Sequence, residues 1–330
     1  MTASSTRPGP APHAPRTTPA HAVAPSPAAS PATPPAAPCT ASYRRLGLLF
    51  PALRVRSAAP RTGDGWISGA DLLAGPDALG ELIAHDARQG LTRYGRPLRP
   101  DVAAGFGLHR FTWSAALLFT LPWFLERRVP LLTPADVSIR RATGELTART
   151  GAFVCLTDDP AAGLPDARTV ADEAALSAEL RAALADFLTP VLTAFRPAVR
   201  RSPRMLWAMA TDAVVEGLWY VGGLLGEEER ARAELSDLLA PATPAAPAAP
   251  AAPATPATPA ALAAPGAPEP SAPPAPPACT PGASAPCFTP GAGFATGSAS
   301  GTDRARASCC LVYTVRPEEM CGGCPRVTRG

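Results

Sequence analysis

Between about Tyr43 and Ala240, apolar residues recur every three or four positions over most of the chain, and alternate with polar ones over a single short stretch. The first spacing places side chains on one face of a helix, and the second on one face of a strand. Leu72, Leu73, Leu79, Leu82 and Ile83 predict a helix from Gly65 to Gly90, with Gly90 capping its end. Trp113, Leu117, Leu118, Leu121 and Leu125 predict a second helix, Arg110 to Arg127, which Pro122 should kink or break. The clearest stripe runs through Leu176, Leu180, Leu184, Phe187, Leu188, Val191, Leu192 and Phe195, a helix over about 171–195 with Pro190 inside it. Ser202 followed by Pro203 reads as an N-cap and first turn, opening a helix that carries Leu206, Trp207, Ala210, Val214 and Leu218 to Gly222-Gly223. A charged helix, Glu227 to Leu239, closes the block.

Residues 136–155 change period. Val137 and Ile139 alternate with polar neighbours, Thr143-Gly144 supplies a turn, and Phe153 to Leu156 form a short apolar run, together a small β-hairpin or meander. The fold class is therefore mainly α, an α+β helical block with a small hairpin, followed by a short cysteine-rich tail. No internal repeat relates the helices.

Composition divides the chain. Most of the 43 prolines gather at residues 1–40 and 241–303, in Ala/Pro/Ser/Thr-rich sequence that cannot bury enough apolar surface to offset chain entropy. Both stretches are expected to be disordered, the second as an extended, solvated spacer. A domain over 41–240 and a segment over 304–330 remain. The segment is too short for a core of its own, so either metal holds it together or the block docks it.

The net charge is +3, and the 30 basic residues are all arginine. Without lysine there is no Schiff-base, phosphate-loop or kinase-type lysine chemistry. No dense basic run with aromatic platforms is evident, so nucleic acid is not an expected partner. Of the four histidines, His13 and His21 lie in the N-terminal stretch. His85 and His109 read as structural or exposed. The N-terminus lacks the apolar core of a secretory signal. Phe111 to Leu125 is too short to span a bilayer, and 207–225 carries Asp212 and Glu216, so no stable membrane insertion is expected and the location is read as cytoplasmic. Asp212 and Glu216, four apart, read as the polar edge of a surface helix, and Trp207 and Trp219 as core. No catalytic triad or carboxylate pair stands out.

The chemistry lies in the last 22 residues. Cys309 and Cys310 are adjacent, Cys321 follows after ten residues, and Cys324 after two more. Thiolates packed this tightly select iron–sulfur or zinc. A single tetrahedral ion would require both adjacent side chains to bend to one point, whereas two sulfide-bridged irons give each cysteine pair its own metal. Structural zinc usually takes two Cys-x-x-Cys knuckles, and only the second half matches here. Disulfides suit exported chains. Spacing thus favours a [2Fe–2S] centre, with zinc as the alternative. Cys155 reads as core, while Cys39, Cys279 and Cys287 have no partners at metal spacing. Arg306, Arg316 and Arg326, partly offset by Glu318 and Glu319, make the tail basic, and read as ordinary solvated charges or as groups that tune or dock the centre.

Ser308-Cys309-Cys310-Leu311, Tyr313, the Cys-x-x-Cys knuckle and Pro325 together resemble the C-terminus of the FhuF-like family of ferric-siderophore reductases. Arg204-Met205-Leu206-Trp207 resembles the family's Arg-x-Leu-Trp helix, and the order of elements in the block resembles its siderophore-binding domain. Where the family commonly continues into Gly-Asn, this chain has Ala208-Met209. The resemblance implies a [2Fe–2S] cluster on Cys309, Cys310, Cys321 and Cys324 and one-electron reduction of chelated Fe(III) to release Fe(II). It also implies a ferric siderophore as substrate and a ferredoxin or flavin reductase as electron donor, since no glycine-rich dinucleotide loop follows a strand. The competing expectation is a siderophore- or partner-binding module with structural zinc at the same cysteines.

Overall fold

The computed structural model describes residues 37–240, 288, 293–294, 304–318 and 324. The expected disorder of 1–40 and 241–303 therefore falls almost wholly outside the described residues. Seven α-helices lie among them: α1 (Thr40–Leu49), α2 (Gly69–Ala74), α3 (Pro76–Tyr94), α4 (Pro100–Glu126), α5 (Glu173–Val199), α6 (Pro203–Leu225) and α7 (Glu228–Leu239). The strands are β1 (Arg54–Ser57), β2 (Trp66–Ser68), β3 (Arg128–Pro130), β4 (Val137–Arg140), β5 (Glu145–Ala148), β6 (Phe153–Leu156), β7 (Ala167–Val170), β8 (Gly293–Phe294) and β9 (Arg304–Ala305).

Helix α4 is the axis of the block. It is apolar all round and buried along nearly its whole length, from Val102 to Phe124, because α3, α5, α6 and α1 surround it. It starts ten residues before the predicted Arg110. Gly105 and Gly107 weaken the helical signal there, but Gly107 sits at a close approach, where a Cβ would meet the Asp86 carboxylate at 3.1 Å. Pro122 lies inside α4 without ending it. Proline cannot donate to the carbonyl four residues back, and the Tyr43 hydroxyl donates to that Leu118 carbonyl instead, at 2.8 Å. The partner comes from α1, an element the apolar pattern does not reveal.

The helix expected over 65–90 is three elements. Trp66–Ser68 is strand β2; Ser68 then caps α2 in a capping box with Asp71, and α3 starts afresh at Pro76. Gly90 caps nothing. It is buried within α3, which ends at Gly95 (φ 70°). Helix α5 follows its predicted stripe, with Leu176, Leu180, Leu184, Phe187, Leu188, Val191 and Phe195 in the core, and runs through Pro190 and Pro197 to Val199. It is long and apolar enough to cross a membrane by length and composition alone, but its stripe faces the other helices. The Ser202 cap of α6 forms as expected, its hydroxyl accepting the Met205 amide.

The predicted hairpin is β4–β5, antiparallel, in a four-stranded sheet of order β1-β5-β4-β2. β6 belongs to a second sheet, β3-β6-β7. The short strands β1, β2, β3 and β7 give no clean alternation, so the pattern shows one hairpin where there are two small sheets. Cys155 is buried on β6, as expected. Cys39 is not part of a disordered tail: it precedes α1, is buried, and burial together with Glu126 pushes its thiol pKa well up.

Candidate metal centre and its cavity

After β9, which pairs with β8, the chain turns onto the helical block. Asp212, fully buried on α6, receives it. Its carboxylate accepts the Ala307 amide at 3.0 Å, the Ser308 amide at 2.8 Å and the Ser308 hydroxyl at 2.5 Å. Burying a carboxylate is costly unless its lone pairs find donors, and these three hydrogen bonds, with Arg306 4.0 Å away, offset most of that cost. One turn further along α6, Glu216 pairs with Arg306 at 3.3 Å and lies 3.7 Å from His109. The Asp212/Glu216 pair is therefore no polar edge of a surface helix. It is the latch for the cysteine segment, and Arg306 is no solvated charge.

Apolar contacts secure the other end. Leu311 adopts a left-handed conformation (φ 63°), uncommon for a branched residue, and opens a short 3-10 turn over Val312–Thr314. The strain is held by burial: Leu311 and Val315 insert beside Val102 and Phe106 near the start of α4, with Tyr94, Leu98, Cys309, Val312 and Tyr313 around them. Gly105 lies under this seat, where a Cβ would be in ordinary van der Waals contact with Leu311 at 3.6 Å and Met209 at 3.7 Å. Arg96 donates to the Thr314 carbonyl from the α3–α4 loop. The block thus docks the segment, one of the two alternatives that its length leaves open.

Between these anchors Cys309 and Cys310, both half-buried, line a cavity of about 290 Å³. Its other walls come from α3 (Arg93, Tyr94), α4 (Gly105, Phe106, His109, Arg110) and α6 (Met209, Glu216). Arg110 is braced from behind by Asp86, a fully buried carboxylate that also holds Arg141 at 2.9 Å. Arg141 also faces His85, and burial followed by that guanidinium lowers the His85 pKa below its usual range. Ala208-Met209, where the family pattern departs, falls here too: Met209 is part of the cavity wall. Trp207 is buried, and Phe288, expected in the disordered spacer, stacks edge-on against it. Trp219 is half-buried against the core, its indole bonded to Glu228.

Of the four predicted ligands, Cys309 and Cys310 reach the cavity, Cys324 is buried but is not one of its walls, and Cys321 lies outside the described residues, as do Cys279 and Cys287. Among the described residues, no three His, Cys, Asp or Glu side chains gather as a metal site. The donor set still fits an iron–sulfur group: two adjacent thiol-bearing residues line one cavity, in a segment held against the helical block. Sequence reasoning flagged Met209 only as a departure from the family pattern and missed the roles of Asp212, Gly105 and Arg96. For Asp212, its four-residue spacing from Glu216 was the available signal.

No curated protein and no solved structure matches the chain. Residues 306–326, which span all four cysteines but only a small part of the chain, match the family described as the FhuF 2Fe-2S C-terminal domain. The cysteine segment is similar to that domain, and its cofactor is a [2Fe–2S] cluster.

Proposed function

We propose that this chain is a ferric-siderophore reductase, with Cys309, Cys310, Cys321 and Cys324 holding its [2Fe–2S] cluster. One observation carries the reading: adjacent cysteines in a segment similar to a [2Fe–2S] domain open onto a cavity walled by α3, α4 and α6. Such a group supplies one electron at a time, and Fe(III) held by hard oxygen donors needs one electron to become the weakly held Fe(II).

The chain's own residues bind and orient. Asp212 and Leu311 hold the cysteine segment against the block. Phe106 and Met209 give the cavity an apolar wall, and Arg93 and Arg110 give it a cationic one. A cavity of about 290 Å³ is at the lower limit for a drug-sized ligand. The ferric chelate therefore sits across its mouth, presenting one edge to the cysteines. No side chain needs to move a proton, which is consistent with the lack of a catalytic acid–base pair in the sequence. The electron comes from a ferredoxin or flavin reductase in the cytoplasm.

The test is anaerobic purification with iron and sulfide analysis, EPR after dithionite, and turnover of a ferric hydroxamate with an Fe(II) trap. Two irons and two sulfides per chain and Fe(II) release are expected, with the reduced signal lost in Cys309→Ser. Protein with the cluster that leaves the ferric chelate untouched would refute the reductase.

A further inference from the structure

The segment 87–100, at the end of α3 and in the loop to α4, carries Arg88, Arg93, Arg96 and Arg99 and no acidic residue. It packs directly on the cysteine segment. Arg93 is a cavity wall beside Cys309 and Cys310, and Arg96 donates to the Thr314 carbonyl. Tyr94 and Leu98 pack against the Leu311–Val315 cluster, and the Arg93 and Arg316 guanidiniums both lie over the Tyr94 ring. Arg88, Arg93, Arg96 and Arg99 are all exposed. Among the described residues only Arg99 of these four is in an ion pair, with Asp101. Arg93 thus lines the cavity beside the cysteines, Arg96 lies against the cysteine segment, and Arg88 extends the same exposed basic stretch along α3.

We propose that this arginine border is the docking surface for an acidic one-electron carrier protein, which gives its electron to the chain at the cysteine end. The inference rests on the reductase reading. One electron leaves the reduced carrier, which is oxidised by one, and is taken up by the chain, with no proton or group transferred. The surface suits this partner in three ways. Electron transfer needs close approach, and the border adjoins the cysteines. Encounters between redox proteins are brief and small in area, so charge steering rather than a large apolar face sets their rate. Arginines anchored by ring contacts and a carbonyl keep their charge fixed at low entropic cost. Single-stranded nucleic acid would instead want free aromatic faces for stacking, and the Tyr94 ring already carries two guanidiniums.

The probe is an acidic plant-type [2Fe–2S] ferredoxin. Its binding to the full chain is titrated in the oxidised form, with and without the chain's own cluster. Reduction of the holoprotein is timed by stopped flow against a neutral deazaflavin reductant. Binding and the ferredoxin rate should both fall at least tenfold between low and moderate salt. In the Arg93→Glu/Arg96→Glu double variant, the ratio of ferredoxin rate to deazaflavin rate should fall by at least tenfold. Arg88→Glu, which touches neither cavity nor tail, should lower that ratio several-fold and serves if the double variant does not fold. A ratio unmoved by salt and by both variants overturns the proposal, as does tighter binding of a single-stranded oligonucleotide than of ferredoxin at the same salt. Salt-independent reduction of a cluster that still releases Fe(II) would leave the reductase standing without this surface. Salt-dependent ferredoxin binding by a chain that takes up no iron would do the reverse.

Discussion

Asp212→Ala should release the cysteine segment while leaving the helical block intact. The carboxylate is fully buried and accepts three hydrogen bonds from residues 307 and 308. Hydrogen bonds to a charged group contribute about 1.5–3 kcal/mol each, are not additive, and share one acceptor here, so about 3–4 kcal/mol is a reasonable total. The neighbouring Arg306–Glu216 pair is about one-third exposed on its acidic side and contributes under about 1 kcal/mol, too little to substitute. Alanine is at least as good a helix former as aspartate, so α6 itself should not weaken. At tenfold per 1.4 kcal/mol, the segment's local opening constant should rise by about a hundredfold to a thousandfold. Hydrogen exchange on the metal-free full chain reads this directly. The Ala307 and Ser308 amides should exchange faster by that factor, and the α6 amides of Val214 and Leu218 should not change. Asp212→Asn, which keeps one acceptor oxygen but turns a donor toward Ser308, should fall between. Unchanged exchange at Ala307 and Ser308 in the alanine variant would refute the latch, and equal acceleration throughout α6 would show that Asp212 stabilises the helix rather than the tail.

Two further outcomes follow from the block. Tyr43→Phe leaves the Leu118 carbonyl opposite Pro122 without its donor, and urea unfolding should show a loss of about 1–2 kcal/mol with an unchanged slope. His85 titrates below its ordinary value of 6.5 because burial and then Arg141 disfavour its charged form. The unfolded chain therefore binds its proton first, so this residue costs stability as pH falls through 6.5 towards the folded value. Denaturation at stepped pH should show that slope in the wild type and a flatter one in His85→Gln; identical slopes would remove His85 as its source.

Periodicity was enough to place α5, α6, α7 and the β4–β5 hairpin, because each carries its own apolar face and local caps such as Ser202. It was not enough where an element's reason for existing lies elsewhere in the chain. Two glycines weaken the helical signal in the first ten residues of α4, which lie against α3 and the cysteine segment. Pro122 predicts a break that a tyrosine from α1 prevents. The capping box at Ser68 splits one apparent helix, since a local cap outweighs a loose apolar period.

The cysteine spacing, by itself, narrowed the cofactor to a [2Fe–2S] cluster ahead of zinc, because ligand type and number are written in residues close in sequence. Everything around those cysteines was decided by tertiary structure. Asp212 lies about a hundred residues before the amides it holds, and the arginines at 88–99 lie more than two hundred before Cys309. A buried carboxylate needs donors, and an isolated tail needs a surface. Folding satisfied both needs with one contact that no local pattern encodes.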